Sequence, residues 1–219
     1  MYNEAINIQH VLEQAGSIVP GLGFLDYEIL VVDDGSKDGS DLIVKEFISK
    51  NSHIRLVQHT KNMGYGVALR TGFTQASCDL VFYTDCDLPA DLNEIGNALQ
   101  LLNKADLVIG YRLNRSDRPR RRFFSLIYNL LMRIMFNVKV RDTNFSFKLV
   151  TREVLEKIKL TASTVFIDGQ LLAEAERHGF RIFEIPIQYL PRLSGRSNFD
   201  SYQTAWNTLL EMIQYWRMH

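Results

Sequence analysis

Asp85 and Asp87 stand one residue apart in Thr84-Asp85-Cys86-Asp87, directly after the apolar run at residues 80–83. On an extended chain residues i and i+2 share a face, so two carboxylates at this spacing can reach around one bound ion or ligand. Their hard oxygens suit Mg²⁺ or Mn²⁺, which bind through one or two carboxylates together with substrate phosphates. Taken alone, the pair reads equally as a solvated turn capped by Asp91 or a neighbour. A second acidic cluster, Asp33-Asp34-Gly35-Ser36-Lys37-Asp38-Gly39-Ser40, closes the apolar run at residues 28–32. Asp33 and Asp34 can accept hydrogen bonds from a base or ribose, and the rest reads as a turn with a helix cap at Ser40 or Asp41.

The elements that must hold these clusters follow from the hydropathy pattern. Runs at 28–32, 54–58, 80–83 and 107–109 predict strands buried on both faces, and helical patterns at 42–48, 66–75 and 92–102 lie between them. Alternation of this kind builds an α/β fold with a mostly parallel, Rossmann-like sheet flanked by helices. Ligands of such sheets bind beyond the carboxyl ends of the strands, where both acidic clusters fall. The second half predicts a helix over 123–136, a strand near 145–149, a helix from Asp168, a strand over 182–189 and a closing helix.

Three other uses of strand-end aspartates fail on residues. Gly64-Tyr65-Gly66-Val67-Ala68-Leu69 has leucine where a dinucleotide-binding loop needs its third glycine, and it follows the wrong strand. Pro89 stands where haloacid-dehalogenase-like phosphatases carry Thr or Val, and no Walker A lysine motif occurs. With 25 basic and 25 acidic residues, no global field draws the chain to nucleic acid. Two cysteines are too few for a disulfide framework or a four-cysteine zinc site, which fits a reducing compartment. No apolar stretch reaches the roughly 18 residues needed to span a bilayer, so a soluble or peripheral protein is expected. At 219 residues and 46% hydrophobic content, one domain over 1–219 is expected.

The motifs in order resemble a family 2 glycosyltransferase of the GT-A fold, in the dolichol-phosphate mannosyltransferase and polyprenyl-phosphate glycosyltransferase branch. They are Tyr2-Asn3-Glu4, Val31-Val32-Asp33-Asp34-Gly35-Ser36, Asn62-x-Gly64-x-Gly66, Thr84-Asp85-Cys86-Asp87, Gly110-Tyr111-Arg112, Asp142 to Lys148, Asp168, and Pro186 followed by Gly195-Arg196-Ser197. The resemblance implies a nucleotide-sugar half over about 1–110 and an acceptor half over about 111–219. It places Tyr2, Glu4 and Gly66 with the donor nucleotide, Asp33 or Asp34 at its base or ribose, and Asp85 and Asp87 at the ribose and the metal-bound diphosphate. Arg112 and Arg196 resemble positions that face phosphates, a task suited to guanidinium geometry. Either arginine alone also reads as a surface ion pair.

The implied reaction moves a hexose from a GDP- or UDP-linked donor to a polyprenyl or dolichyl phosphate, with inversion, at the cytoplasmic membrane face. A saccharide or other hydroxyl acceptor would need a general base, for which Asp168 is the candidate; a charge at a helix N-terminus is its other reading. Two departures stand out. The family's first strand, expected mid-sheet before Tyr-Asn-Glu, is missing here, which implies a truncated chain or a non-catalytic relative. Ser146 replaces a glycine of the dolichol-phosphate glucosyltransferase type, which leaves the acceptor's identity open.

Six arginines and one acid, Asp117, lie between Arg112 and Arg122, ahead of Phe123, Phe124, Ile127, Leu130, Leu131, Ile134 and Met135 at helical spacing. This pattern fits either an interfacial helix at anionic headgroups or a helix packed on the protein's own core. Firm anchoring would require a membrane-spanning partner.

Overall fold

The runs at 54–58 and 80–83 form strands at the residues that the sequence predicts, and the helices between them take the expected order. The computed structural model describes residues 1–114, 119–190 and 202–219. Helix α1 (Ala5–Ile18) leads into β1 (Ile29–Asp33), α2 (Ser40–Lys50), β2 (Ile54–Gln58), α3 (Tyr65–Gln75), β3 (Leu80–Tyr83), α4 (Glu94–Leu99) and β4 (Leu107–Leu113). The second half continues through α5 (Pro119–Phe136), β5 (Lys148–Thr151), α6 (Arg152–Lys157), α7 (Phe166–Arg177), β6 (Ile182–Gln188) and α8 (Tyr202–Met218).

β1 and β2 pair in parallel, while the other strands form a sheet in the order β3-β5-β4-β6. In that sheet β3, β4 and β6 share one direction and β5 alone runs against them. The sheet is therefore mostly parallel, as expected, with one reversed strand at its centre. At the edge of β1 away from β2, the Met1 amine donates to the Val32 carbonyl and Asp34 N–H donates to the Met1 carbonyl. That is a parallel pairing pattern at a single residue.

Side-chain alternation sorts the core into two layers. Leu107, Ile109 and Val150 face a cluster with Met132, Ile167 and Leu171 from the helices on one side. Val108, Phe147 and Leu149 face the opposite cluster, with Ile95, Ala98, Ile185 and Ile187. Even-numbered residues of β5 therefore share a face with Tyr83, whose partner in the ladder is Lys148.

Several elements depart from expectation, among them α6, a short helix over Arg152–Lys157 that the sequence does not predict. β5 begins at Lys148, three residues later than expected, and β4 runs on to Leu113 where the sequence predicts an end at Ile109. Helix α1 is not predicted at all; its buried Ile8, Leu12 and Ala15 have helical spacing, but its first N–H group is capped from afar by Asp38, whose Oδ2 accepts from Ala5 N at 2.9 Å.

Candidate active site

At the carboxyl end of β1, Asp33 and Asp34 are both buried, but they do different work. Asp34 accepts from Met63 N at 2.8 Å, from Gly64 N at 2.9 Å and pairs with His59 Nδ1 at 2.7 Å. These contacts hold the loop that enters α3, with His59 pinned on its other side by Thr71 Oγ1 at 3.0 Å. Asp33 accepts from Ser36 N and Gln58 Nε2, each at 3.1 Å. Gly35 is required beside them: its φ is +74° and a Cβ there would lie 2.6 Å from the Lys61 carbonyl carbon.

Tyr2 and Glu4 are brought to the same strand end. Asn3 N donates to Ser36 Oγ at 2.9 Å, Lys37 N donates to Asn3 Oδ1 at 2.9 Å, and Glu4 N donates to Ser40 Oγ at 3.0 Å. The two loops thus form one hydrogen-bonded platform, with Asp38 as its central acceptor. Burial alone would raise the Asp38 carboxyl, but hydrogen bonds from Ser40 and Ala5 outweigh it and hold the group below its ordinary range. Gly66, two residues after the Gly64 that Asp34 holds, serves close packing elsewhere: its N–H donates to Ser163 O at 3.0 Å, and a Cβ would lie 2.6 Å from Ala162 O.

Asp85 and Asp87 follow the carboxyl end of β3, both half-buried. The Asp85 carboxyl is pushed up to about 6, first by desolvation and then by the Asp87 charge; a hydrogen bond from Ser146 and the nearby Lys148 charge work against the rise. Two like charges held this close favour a bound cation. Among the described residues no three His, Cys, Asp or Glu side chains converge on a metal position. The arrangement fits Mg²⁺ or Mn²⁺ held by two carboxylates with the rest of the shell drawn from substrate phosphates and water.

The sign of the Asp85 shift has a measurable result. A carboxyl raised in the folded state binds its proton more tightly there than in the unfolded chain, so its share of stability is present below the ordinary carboxylate range and is lost as pH rises through about 6. In chelator, urea midpoints of the wild type relative to Asp85→Asn are expected to fall from pH 4 to pH 7. Parallel midpoints across that range would refute a charge held against burial at Asp85.

Asp168 opens α7 as expected, but its carboxylate turns into the core. It is 1% exposed, with Lys148 Nζ at 2.6 Å from Oδ1, Tyr83 OH also on Oδ1, and Tyr65 OH 3.1 Å from Oδ2. Burial, followed by the Asp168 charge, lifts both phenols well above their ordinary range, so each stays a donor. Lys148 is 0% exposed and donates also to Phe145 O at 2.7 Å.

Arg112, near the end of β4, is held by Asp142 through Nε to Oδ2 at 2.7 Å and a second bond at 3.0 Å, a bidentate pair almost closed to solvent. It is therefore not the exposed ion pair of the alternative reading. Arg196 lies outside the described residues. The sequence reading gives no role to His59, Tyr65 or Tyr83, and it quotes Asp38 and Lys148 only as members of motifs; for Tyr83 and Lys148 the i+2 parity with Asp85 and Ser146 was the available signal.

A sheet of this topology with acidic clusters at two strand ends is the GT-A fold. A family model described as glycosyl transferase family 2 matches residues 1–159, and the chain belongs to that family. Among curated relatives, it is 30% identical over 203 residues to "Glycosyltransferase AglD" of Haloferax volcanii, covering 87% of this chain and 32% of the relative. It is 28% identical over 206 residues to "Dolichyl-phosphate beta-glucosyltransferase ALG5C" of Trichomonas vaginalis, covering 86% of this chain and 61% of the relative. The chain thus spans less than two thirds of the length of either. Glucosyl-3-phosphoglycerate synthase from Mycobacterium tuberculosis, solved with Mn²⁺ and UDP-glucose, has the same fold at a TM-score of 0.74 and 20% identity, covering 98% of this chain and 76% of that one.

Proposed function

We propose that this chain transfers a hexose, with inversion, from a GDP- or UDP-linked donor to a polyprenyl or dolichyl phosphate at the cytoplasmic face of a membrane. The observation that carries the donor half of this reading is the Asp85–Asp87 pair at the end of β3, where mutual repulsion and burial favour a divalent ion, which would in turn hold a diphosphate. The platform of Tyr2, Glu4 and Asp33 holds the nucleoside, and Asp34 and Gly66 shape the loop beside it. The nucleotide-sugar half spans about 1–110 and the acceptor half about 111–219. A bound divalent ion would neutralise the leaving diphosphate as a Lewis acid.

In the reaction an oxygen of the acceptor phosphate forms a bond to the anomeric carbon as the bond to the nucleoside diphosphate breaks. A phosphate monoester is largely dianionic at pH 7, so the chain need not supply a strong base. This agrees with Asp168, whose carboxylate is engaged by Lys148 and two tyrosines and reads as a positioning group rather than a base. Arg112, oriented by Asp142, and Arg196 take the phosphate contacts. The relatives' names support the lipid acceptor. The test is a screen of UDP- and GDP-sugars in Mg²⁺ or Mn²⁺ against a polyprenyl phosphate and simple sugars. Label should enter the lipid phase with one donor class; transfer to free sugars alone would overturn the lipid acceptor.

Helix α5 supports the membrane contact. Phe123, Leu126, Ile127, Leu130 and Ile134 form a stripe at helical spacing, and Leu126 and Ile134 are 67% and 71% exposed. Leu131, Met132 and Met135 take the opposite face and pack on the core, so the helix is both a core helix and an apolar surface. No helix among the described residues is long and apolar enough to cross a membrane. Changing Leu126 and Leu130 to serine is expected to abolish flotation with anionic liposomes at an unchanged melting temperature, since each apolar side chain contributes about 1.5–3 kcal/mol when buried. Replacing the arginines at 120–122 with glutamine should remove roughly 3 kcal/mol more. Flotation equal to wild type in both variants would refute the contact.

A further inference from the structure

Glu211 is the single acid of α8, and its carboxylate reaches across to the turn that precedes α7. Its Oε1 accepts from Ser163 N at 2.7 Å and Ser163 Oγ at 2.9 Å, while Oε2 accepts from Thr164 N at 3.0 Å and from the Thr164 hydroxyl. Four donors on one carboxylate fix the second half of the turn. The first half is held separately by α7, where the buried Gln170 Oε1 accepts from Thr161 N at 2.9 Å and Ala162 N at 2.8 Å. The far side of the same turn bears on the loop that enters α3. Ser163 O accepts from Gly66 N at 3.0 Å, and a Cβ at position 66 would meet the Ser163 carbonyl carbon at 2.6 Å. The two backbones lie flush, so neither shifts without the other. The loop over 63–66 is thus held at β1 by Asp34, at α7 through the Tyr65 hydroxyl on Asp168, and at the turn by Ser163. Of these holds the last is the one that leads to α8.

We propose that Glu211 is a positioning residue for the donor site: by fixing Ser163 it sets the place of Gly66, and so the shape of the loop beside the donor nucleotide. The proposal rests on the donor-site reading above. A hydrogen bond to a charged group favours one arrangement by about tenfold or more, which is enough to decide between an ordered and a displaced turn. Binding to a site that is competent for only part of the time is weakened by that fraction. The other reading of Glu211 is a cap alone, since Thr164 Oγ1 also accepts from Phe166 N at 3.1 Å at the start of α7. A cap alone would stabilise α7 and leave nucleotide affinity untouched. The docking of α8 as a whole does not hang on Glu211, because Met212 and Tyr215 are buried and the Tyr215 hydroxyl donates to Glu174 Oε1.

Two measurements test it: calorimetry with Mn²⁺ plus UDP and Mn²⁺ plus GDP, well below the melting temperature, and amide hydrogen exchange resolved at Gly66. Glu211→Ala is expected to weaken nucleotide binding about tenfold and to speed exchange at Gly66. Exchange at Met63 and Gly64 should stay as in the wild type, because Asp34 still holds them. Glu211→Gln, which keeps one acceptor oxygen, should fall between the two and carries the test if the alanine variant does not fold. Tyr215→Phe is the control: it loosens α8 at Glu174 and should lower the melting temperature at wild-type affinity. Wild-type affinity in Glu211→Ala overturns the proposal and leaves the donor site standing. An equal loss of affinity in Tyr215→Phe also overturns it, since the effect would then belong to the docking of α8 at large. Weakened binding with unchanged exchange at Gly66 overturns the route through Ser163. Failure of the wild type to bind either nucleotide with Mn²⁺ would defeat the donor site itself, and the role of Glu211 with it.

Discussion

Asp87→Ala is expected to slow metal-dependent sugar transfer by about a hundred- to a thousandfold, while the protein folds as the wild type does. The argument is local. Asp87 lies beyond the end of β3, half-buried, where its charge is the second cause of the high Asp85 pKa. Removing it relieves repulsion in the empty site, so the metal-free fold should lose no stability and Asp85 should ionise more readily. In the working site the same carboxylate would help hold the ion that faces the leaving diphosphate, and the loss of a single preorganised charge-stabilising group typically costs 10²–10³ in rate. Stability and turnover should therefore move in opposite directions or not together. Urea midpoints at pH 7 and initial rates across a Mn²⁺ titration decide it. Near-normal turnover at any metal concentration would remove Asp87 from the site.

Much of the architecture was legible because its signals are local. The runs at 54–58 and 80–83 carry apolar residues on both faces and end in turn chemistry, so their strands are bounded by the sequence itself. The glycine and aspartate turns after β1 likewise announce a strand end. What escaped depends on partners far away in the chain. Asp38 caps α1 across 33 residues, and nothing near Ala5 records that. Asp34 resembles Asp33 in sequence, yet only the fold brings Met63, Gly64 and His59 to it. A lysine in an apolar run reads as the edge of a strand, and Lys148 is instead wholly buried because Asp168, 20 residues on, neutralises it.

That pair yields the second large effect. Lys148 and Asp168 are 0% and 1% exposed, and each completes the other's hydrogen bonding together with Phe145 O, Tyr83 and Tyr65. Lys148→Met strands a carboxylate in the core and Asp168→Leu strands an ammonium, so each single change is expected to destabilise by about 3–5 kcal/mol. For a chain of this length that lowers the melting temperature by roughly 6–20 °C. The double change Lys148→Met/Asp168→Leu removes both charges and should recover much of the loss, though not all, because both buried phenols lose the Asp168 oxygens to which they donate. Strictly additive losses would show that the charges do not couple. Asp168→Asn separates position from proton transfer: the amide oxygen still accepts from one tyrosine, but Lys148 loses its counter-charge. If Asp168 positions the site, stability and transfer fall together in this variant, and raising pH does not restore the rate. A rate collapse at full stability would instead mark Asp168 as a base and favour a hydroxyl acceptor over a phosphate.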